Sequence, residues 1–234
     1  MFSAHPGGPT MQPITRKLSI PLALGLATVV GLAAPTAEAR PDRRGLQSDF
    51  LLGASGCIPG RAKCDADGEI AGKTGPHMGF GATLGFRPLK VLMVGAAYNL
   101  GFFNPDYARA GADVYRIAYQ NSVFGVVRAI LPIWRIDLGL EIGPGWSRQT
   151  FRATDKTIFT KSHSQGFAMK MGPIVDIFLT KRFFIGAKVD FIFNFHNQVC
   201  TDNPDSTRVC VRTSENDQAA VHQVIGGLHL GSVF

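Results

Sequence analysis

The sequence predicts an all-β fold, an eight-stranded antiparallel up-and-down transmembrane β-barrel preceded by a signal peptide. Three observations predict it. Apolar residues alternate with small or polar ones in eight successive segments, ionisable residues keep to one face of those segments, and the connections alternate between long and short.

Composition sets the frame. Charged residues make up 18% of the 234-residue chain, below the usual quarter for soluble domains, while 27 glycines and 17 phenylalanines suit tight strands and turns better than helices. The formal charge is +7, yet no run of Lys and Arg exceeds two residues. Scattered basic loop residues account for that balance, and no nucleic-acid partner is expected.

The N-terminus reads as a targeting segment. Arg16 and Lys17 precede an apolar stretch, Leu18–Ala34, and Ala37-Glu38-Ala39 supplies an A-x-A cleavage site. The stretch is shorter than the roughly 20 residues of a spanning helix and contains Pro21, so cleavage is expected after Ala39. That divides the chain into a signal peptide, 1–39, and a barrel domain, 40–234, with Met11 an alternative start. No later segment offers a comparable apolar span: Phe183–Phe193 is broken by Lys188 and Asp190.

The strands follow in order. Leu46–Ala54 and Met78–Arg87 open the series, the latter with Met78, Phe80, Ala82, Leu84 and Phe86 on one face and Gly79, Gly81, Thr83, Gly85 and Arg87 on the other. Val91–Phe102 sets Leu92, Val94, Ala96, Tyr98 and Leu100 against small or polar residues. The segments that begin at Tyr115, Trp134, Phe167, Phe183 and Val224 repeat the pattern. No Asp, Glu, Lys or Arg falls on an apolar face. The opposite faces carry Asp49, Arg87, Arg116, Arg128, Arg135, Asp137, Glu141, Lys170, Asp176, Lys188 and Asp190. Those faces are also rich in glycine, which fits a crowded interior. An apolar wall around such an interior is a lipid-facing wall.

The gaps at 56–76, 103–112, 148–164 and 197–220 are long and polar, whereas those at Pro88–Lys90, Ile130–Ile133 and Thr180–Lys181 are short. Long outer loops and short periplasmic turns place both termini in the periplasm. Trp134 and Trp146, on one face of the fifth segment, are about 28 Å apart along the membrane normal, matching two aromatic girdles. Tyr115 and Tyr119 suit the outer girdle.

The ending Val224–Phe234 resembles the C-terminal signal of outer-membrane barrels, with Leu228, Leu230 and Phe234 matching and Ser232 standing where a larger residue is common. With the signal peptide and eight strands, the mature chain resembles the small OmpA-type and OmpX-type barrels. The resemblance implies residence in the outer membrane, contact with its lipid and recognition by the barrel-assembly machinery.

Cys57, Cys64, Cys200 and Cys210 fall in the first and last predicted loops. An even count in an exported chain points to two disulfides, with local and crossed pairings both open. Their spacings do not match zinc sites, and no cofactor is expected. The interior charges are near balance, six basic to five acidic, which favours a paired network filling the lumen over a narrow conducting path. Ser162-His163-Ser164 is the nearest approach to a nucleophile and base, but neighbours in a strand point to opposite faces. Asp202-Asn203-Pro204-Asp205 reads as a turn. The expected function is a structural, adhesive or surface-interaction role through outer loops that meet an unknown surface ligand. A narrow channel is the alternative, and a lipid-modifying enzyme ranks last.

Overall fold

The computed structural model describes residues 43–58, 64–66, 71–109, 112–157, 160–205, 207–212 and 221–234; the expected signal peptide lies outside them. Eight long strands form the barrel: β1 (Gly45–Cys57), β2 (Ala71–Leu89), β3 (Leu92–Arg109), β4 (Tyr115–Ile133), β5 (Ile136–Ala153), β6 (Lys161–Phe178), β7 (Phe183–Asp202) and β8 (Gln223–Val233). Short strands extend it: Asp65–Ala66 against β2, Ala112–Asp113 against β3, and Arg208–Arg212 against β7.

Each strand pairs antiparallel with the next, and β1 also pairs with β8 from Gln47↔Val233 to Cys57↔Gln223, so the sheet closes. Closure matters because lipid offers no partner to an unpaired N–H or C=O. Its stagger can be read from the pairing. Ile185 leads through Leu230, Phe50, Ala82, Tyr98, Val123, Trp146 and Phe167 back to β7 at Phe195, ten residues beyond the start. For eight strands that stagger gives a tilt of about 40° and a backbone radius of about 8 Å. Gly45 sits at φ 130°, where a Cβ would collide with the Phe234 carbonyl; glycine lets the two ends of the barrel meet.

Alternation carries through to burial. Leu84, Phe86, Val123, Leu131, Leu138, Leu140, Phe167 and Leu228 are exposed on the outer wall, while Thr83, Arg87, Phe124, Arg128, Glu141 and Ile192 are buried inside. A wall of exposed Leu, Val, Ile and Phe would be intolerable in water and is natural in hydrocarbon.

Three expectations are corrected. The strands run well past the apolar alternation, so Cys57 and Cys200 end or lie within β1 and β7, and Cys210 lies in the Arg208–Arg212 strand. Beyond the membrane both faces of a strand are polar, so the ladder continues while its period-two signature fades. Arg116 is exposed rather than interior, because a register shift between Tyr115 and Ile117 breaks the parity of β4. Arg135 is exposed because it occupies the two-residue turn closed by Ile133↔Ile136, where Trp134 takes φ 52° and Arg135 lies over its ring at 5.2 Å.

The outward set makes a direct prediction. Ala187 is exposed on β7, one residue from buried Lys188. Ala187→Arg should destabilise the lipid-embedded barrel by about 2–4 kcal/mol. Denaturant unfolding in phospholipid vesicles reads this; an unchanged midpoint would mean that β7 is inside out.

Candidate functional site

The lumen is filled in three layers. Nearest the short turns, the Arg43 guanidinium binds Asp137, and Arg87 Nη1 donates to Asp137 Oδ2 at 2.7 Å. Arg43 also lies 3.9 Å from the Phe178 ring centroid, and His229 Nε2 is 2.6 Å from Asp176 Oδ1.

The middle layer centres on Glu141. Arg128 donates to Glu141 Oε2 through Nε at 2.9 Å and Nη2 at 2.7 Å, and through Nη2 to Asp49 Oδ2 at 2.8 Å. Lys188 Nζ lies 3.0 Å and Lys170 Nζ 2.9 Å from Glu141 Oε1. Lys170 Nζ also reaches Asp190 Oδ2 at 3.0 Å, and Asn99 Nδ2 donates to the same oxygen at 3.0 Å. Arg128, Glu141 and Lys170 are 1%, 0% and 1% exposed, so water does not reach these three side chains.

The outer layer is uncharged. Gln149 Nε2 donates to Gln120 Oε1 at 2.7 Å, as does Asn194 Nδ2 at 3.0 Å. Gln149 Nε2 and Asn194 Nδ2 also both donate to the carbonyl of Val221. Ser147 Oγ lies 2.5 Å from Asn194 Oδ1 and 2.7 Å from His196 Nε2, and His196 Nδ1 lies 2.9 Å from Ser164 Oγ. Ser164 thus partners His196 and not its sequence neighbour His163. Ser147 is fully buried, with its oxygen held by both Asn194 and His196.

Beyond the membrane, two disulfides pin the outer extensions: Cys57–Cys64, which ties the end of β1 to the residue ahead of the Asp65–Ala66 strand with Cα atoms 5.8 Å apart, and Cys200–Cys210, with Cα atoms 4.0 Å apart and directly opposite in register. Asp202 accepts from Arg208 Nε at 2.7 Å and lies 3.1 Å from Lys161 Nζ.

No family model matches the sequence, and no curated protein does. Among solved structures, the chain is similar to Neisserial surface protein A, at 9% identity and a TM-score of 0.54 over 81% of this chain and 97% of that one. It is similar to the outer membrane protein OprG from Pseudomonas aeruginosa, at 10% identity and a TM-score of 0.52, with 81% and 97% of the two chains covered. The chain has the fold of the small outer-membrane β-barrels. With its closed sheet and exposed apolar wall, the barrel resides in the outer membrane.

The barrel brings together nine of the eleven interior ionisable residues expected from sequence, all but Arg116 and Arg135. Arg43 joins them without any strand signal, since it precedes β1. Gln120, Ser147, Gln149, Asn194 and His196 escape a search for charges because they are neutral at ordinary pH, although inward parity alone could have found them. Trp146 shares its register path with exposed Tyr98, Phe167 and Phe195, while Tyr115 and Tyr119 lie farther out on β4, Tyr115 against Phe151 and Tyr119 against Phe102. Leu228, Leu230 and Phe234 are exposed on the outer wall.

Two tests follow from this geometry. Glu141→Gln leaves Arg128, Lys170 and Lys188 short of their shared counter-charge and should cost about 3–5 kcal/mol in vesicle unfolding experiments; a loss near zero would mean that the layer is not held by Glu141. At the rim, hydrogen bonding from Arg208, helped by Lys161, holds the Asp202 carboxyl down from 3.8 to about 2. A depressed folded pKa stabilises above the unfolded value, so this contribution is full above about 3.8 and fades as pH falls through about 2. Carboxyl chemical-shift titration of Asp202 should give the low midpoint, and a midpoint at the ordinary value would remove the effect.

Proposed function

We propose that the protein is a sealed membrane anchor that acts at the cell surface through its outer extensions. The Glu141 layer carries this reading: a conducting lumen needs solvated charges, and Glu141, Arg128 and Lys170 are each at most 1% exposed and mutually paired. Five buried bases, Arg43, Arg87, Arg128, Lys170 and Lys188, meet five buried acids, Asp49, Asp137, Glu141, Asp176 and Asp190, among the described residues. Such a network fills space and leaves no surplus charge to select an ion.

The strands that rise past the membrane and their disulfides support a rigid outer platform. Its ligand is a surface partner met through the outer connections. Leu228, Leu230 and Phe234 serve as the assembly signal, Trp134 and Trp146 anchor the two interfaces, and export ends with cleavage after Ala39. No cofactor enters this reading.

Planar-bilayer recording of the mature protein, whose N-terminal residue should be Arg40, is the test. Insertion without steady conductance is the expected result. Regular unitary steps would replace the sealed anchor with the narrow channel.

A further inference from the structure

Above the apolar wall, the flank formed by β5, β6, β7 and the Arg208–Arg212 strand carries cations in register. Trp146, Arg148, Thr150 and Arg152 share one face of β5, which has no register shift. Arg148 pairs with Gln165, Gln165 with Gln198, and Gln198 with Arg212. Four residues farther out on β5, Arg152 pairs with Lys161, Lys161 with Asp202, and Asp202 with Arg208. Between these rows lies Thr150↔His163↔Cys200↔Cys210, whose disulfide fixes the hairpin that brings Arg208 and Arg212 onto the flank.

Arg148, Arg152, Lys161, Arg208 and Arg212 thus share one face, where among the described residues of these strands Asp202 is the carboxylate, already engaged by Lys161 and Arg208. Arg148 is half-buried, and its Nε is buried without a hydrogen-bond partner. Arg152 and Arg212 are exposed. The opposite flank is different: Lys73 stands in register between Asp65 and Asp106.

Height identifies the chemistry. At the barrel tilt, Arg148 stands about 5 Å above Trp146 along the membrane normal and Arg152 about 15 Å above it. Each step to the next strand climbs about another 3 Å. A glycerophospholipid phosphate would reach only the lowest cation. A headgroup carrying phosphates at the membrane surface and acidic sugars above would meet the whole face.

We propose that this flank is a docking surface for an outer-leaflet phosphoglycolipid with an acidic sugar core, Arg148 taking the phosphate level and Arg152, Lys161, Arg208 and Arg212 the sugar level. The inference goes beyond the surface-anchor reading and stands whether or not the lumen conducts or the outer extensions bind a partner.

Lipid retention tests it. The full mature protein, refolded in detergent, is titrated with Kdo-lipid A, which carries phosphates on lipid A and carboxylates on its Kdo sugars, and bound lipid is counted by native mass spectrometry. Phosphatidylglycerol is the comparison lipid. Each cation near an anionic headgroup surface contributes about fivefold in affinity. Arg148→Gln with Lys161→Gln should weaken Kdo-lipid A by about 25-fold, and Arg212→Gln alone, at an exposed position that leaves the barrel untouched, by about fivefold. Lys73→Gln on the opposite flank should retain it like the unaltered protein, and phosphatidylglycerol should not distinguish the variants. Heat-dependent gel migration confirms that each variant is folded; if the double variant is not, Arg212→Gln decides. Unchanged retention in Arg212→Gln, an equal loss in Lys73→Gln, or equal discrimination with phosphatidylglycerol would each overturn the proposal.

Discussion

Closure of the sheet is the constraint on which the rest depends. In hydrocarbon an unpaired backbone amide or carbonyl costs several kcal/mol, so a strand edge cannot be left open. Here the seam joins β1 to β8, near the two ends of the described chain, from Gln47↔Val233 onward. It is the pairing most remote in sequence, and until it forms β1 and β8 both remain edges. Once it forms, strand number and stagger fix the tilt, and the tilt fixes the bore.

That bore dictates the lumen. A backbone radius near 8 Å leaves room for inward side chains to meet across the axis, and little more. Long side chains fill such a space well, but charged heads placed there lose their water, a loss tolerable only with opposite charge at hydrogen-bond distance. Glu141 shows the result, with Arg128, Lys170 and Lys188 all on one carboxylate. Apolar Leu51, Met93, Phe124 and Ile192 pack among the ion pairs, so the interior is neither an oily core nor a water channel.

Much of this was legible in the residues because lipid imposes a simple rule on strands. Asp137, Gly139 and Glu141 share one face of β5 and Leu138 and Leu140 the other, and only one assignment of faces keeps the acids from lipid. The rule fails where lipid stops. Arg135 keeps the inward parity of Asp137 but falls in a turn, and Arg116 sits where β4 shifts register. Cys200 lies within a strand whose polar surroundings resemble a loop. Arg43 was hidden for a different reason: its place in the lumen is set by Asp137, nearly a hundred residues away, and no local pattern announces such a partner. Family comparison is silent for a related cause. A lipid-facing position accepts Leu, Val, Ile or Phe alike, so a barrel can be kept at 9–10% identity to its structural neighbours.

Arg43 leaves one more consequence. The strands themselves bring four cations into the lumen, Arg87, Arg128, Lys170 and Lys188, against five carboxylates. Among the described residues, neutrality is reached only with Arg43, just ahead of β1, lodged between Asp137 and the Phe178 ring. Arg43 therefore acts as a stopper at this end of the lumen. A chain trimmed past Arg43 would close the same sheet around an acidic interior, and that interior would have to take up a proton or a solvent cation to fill the vacant charge.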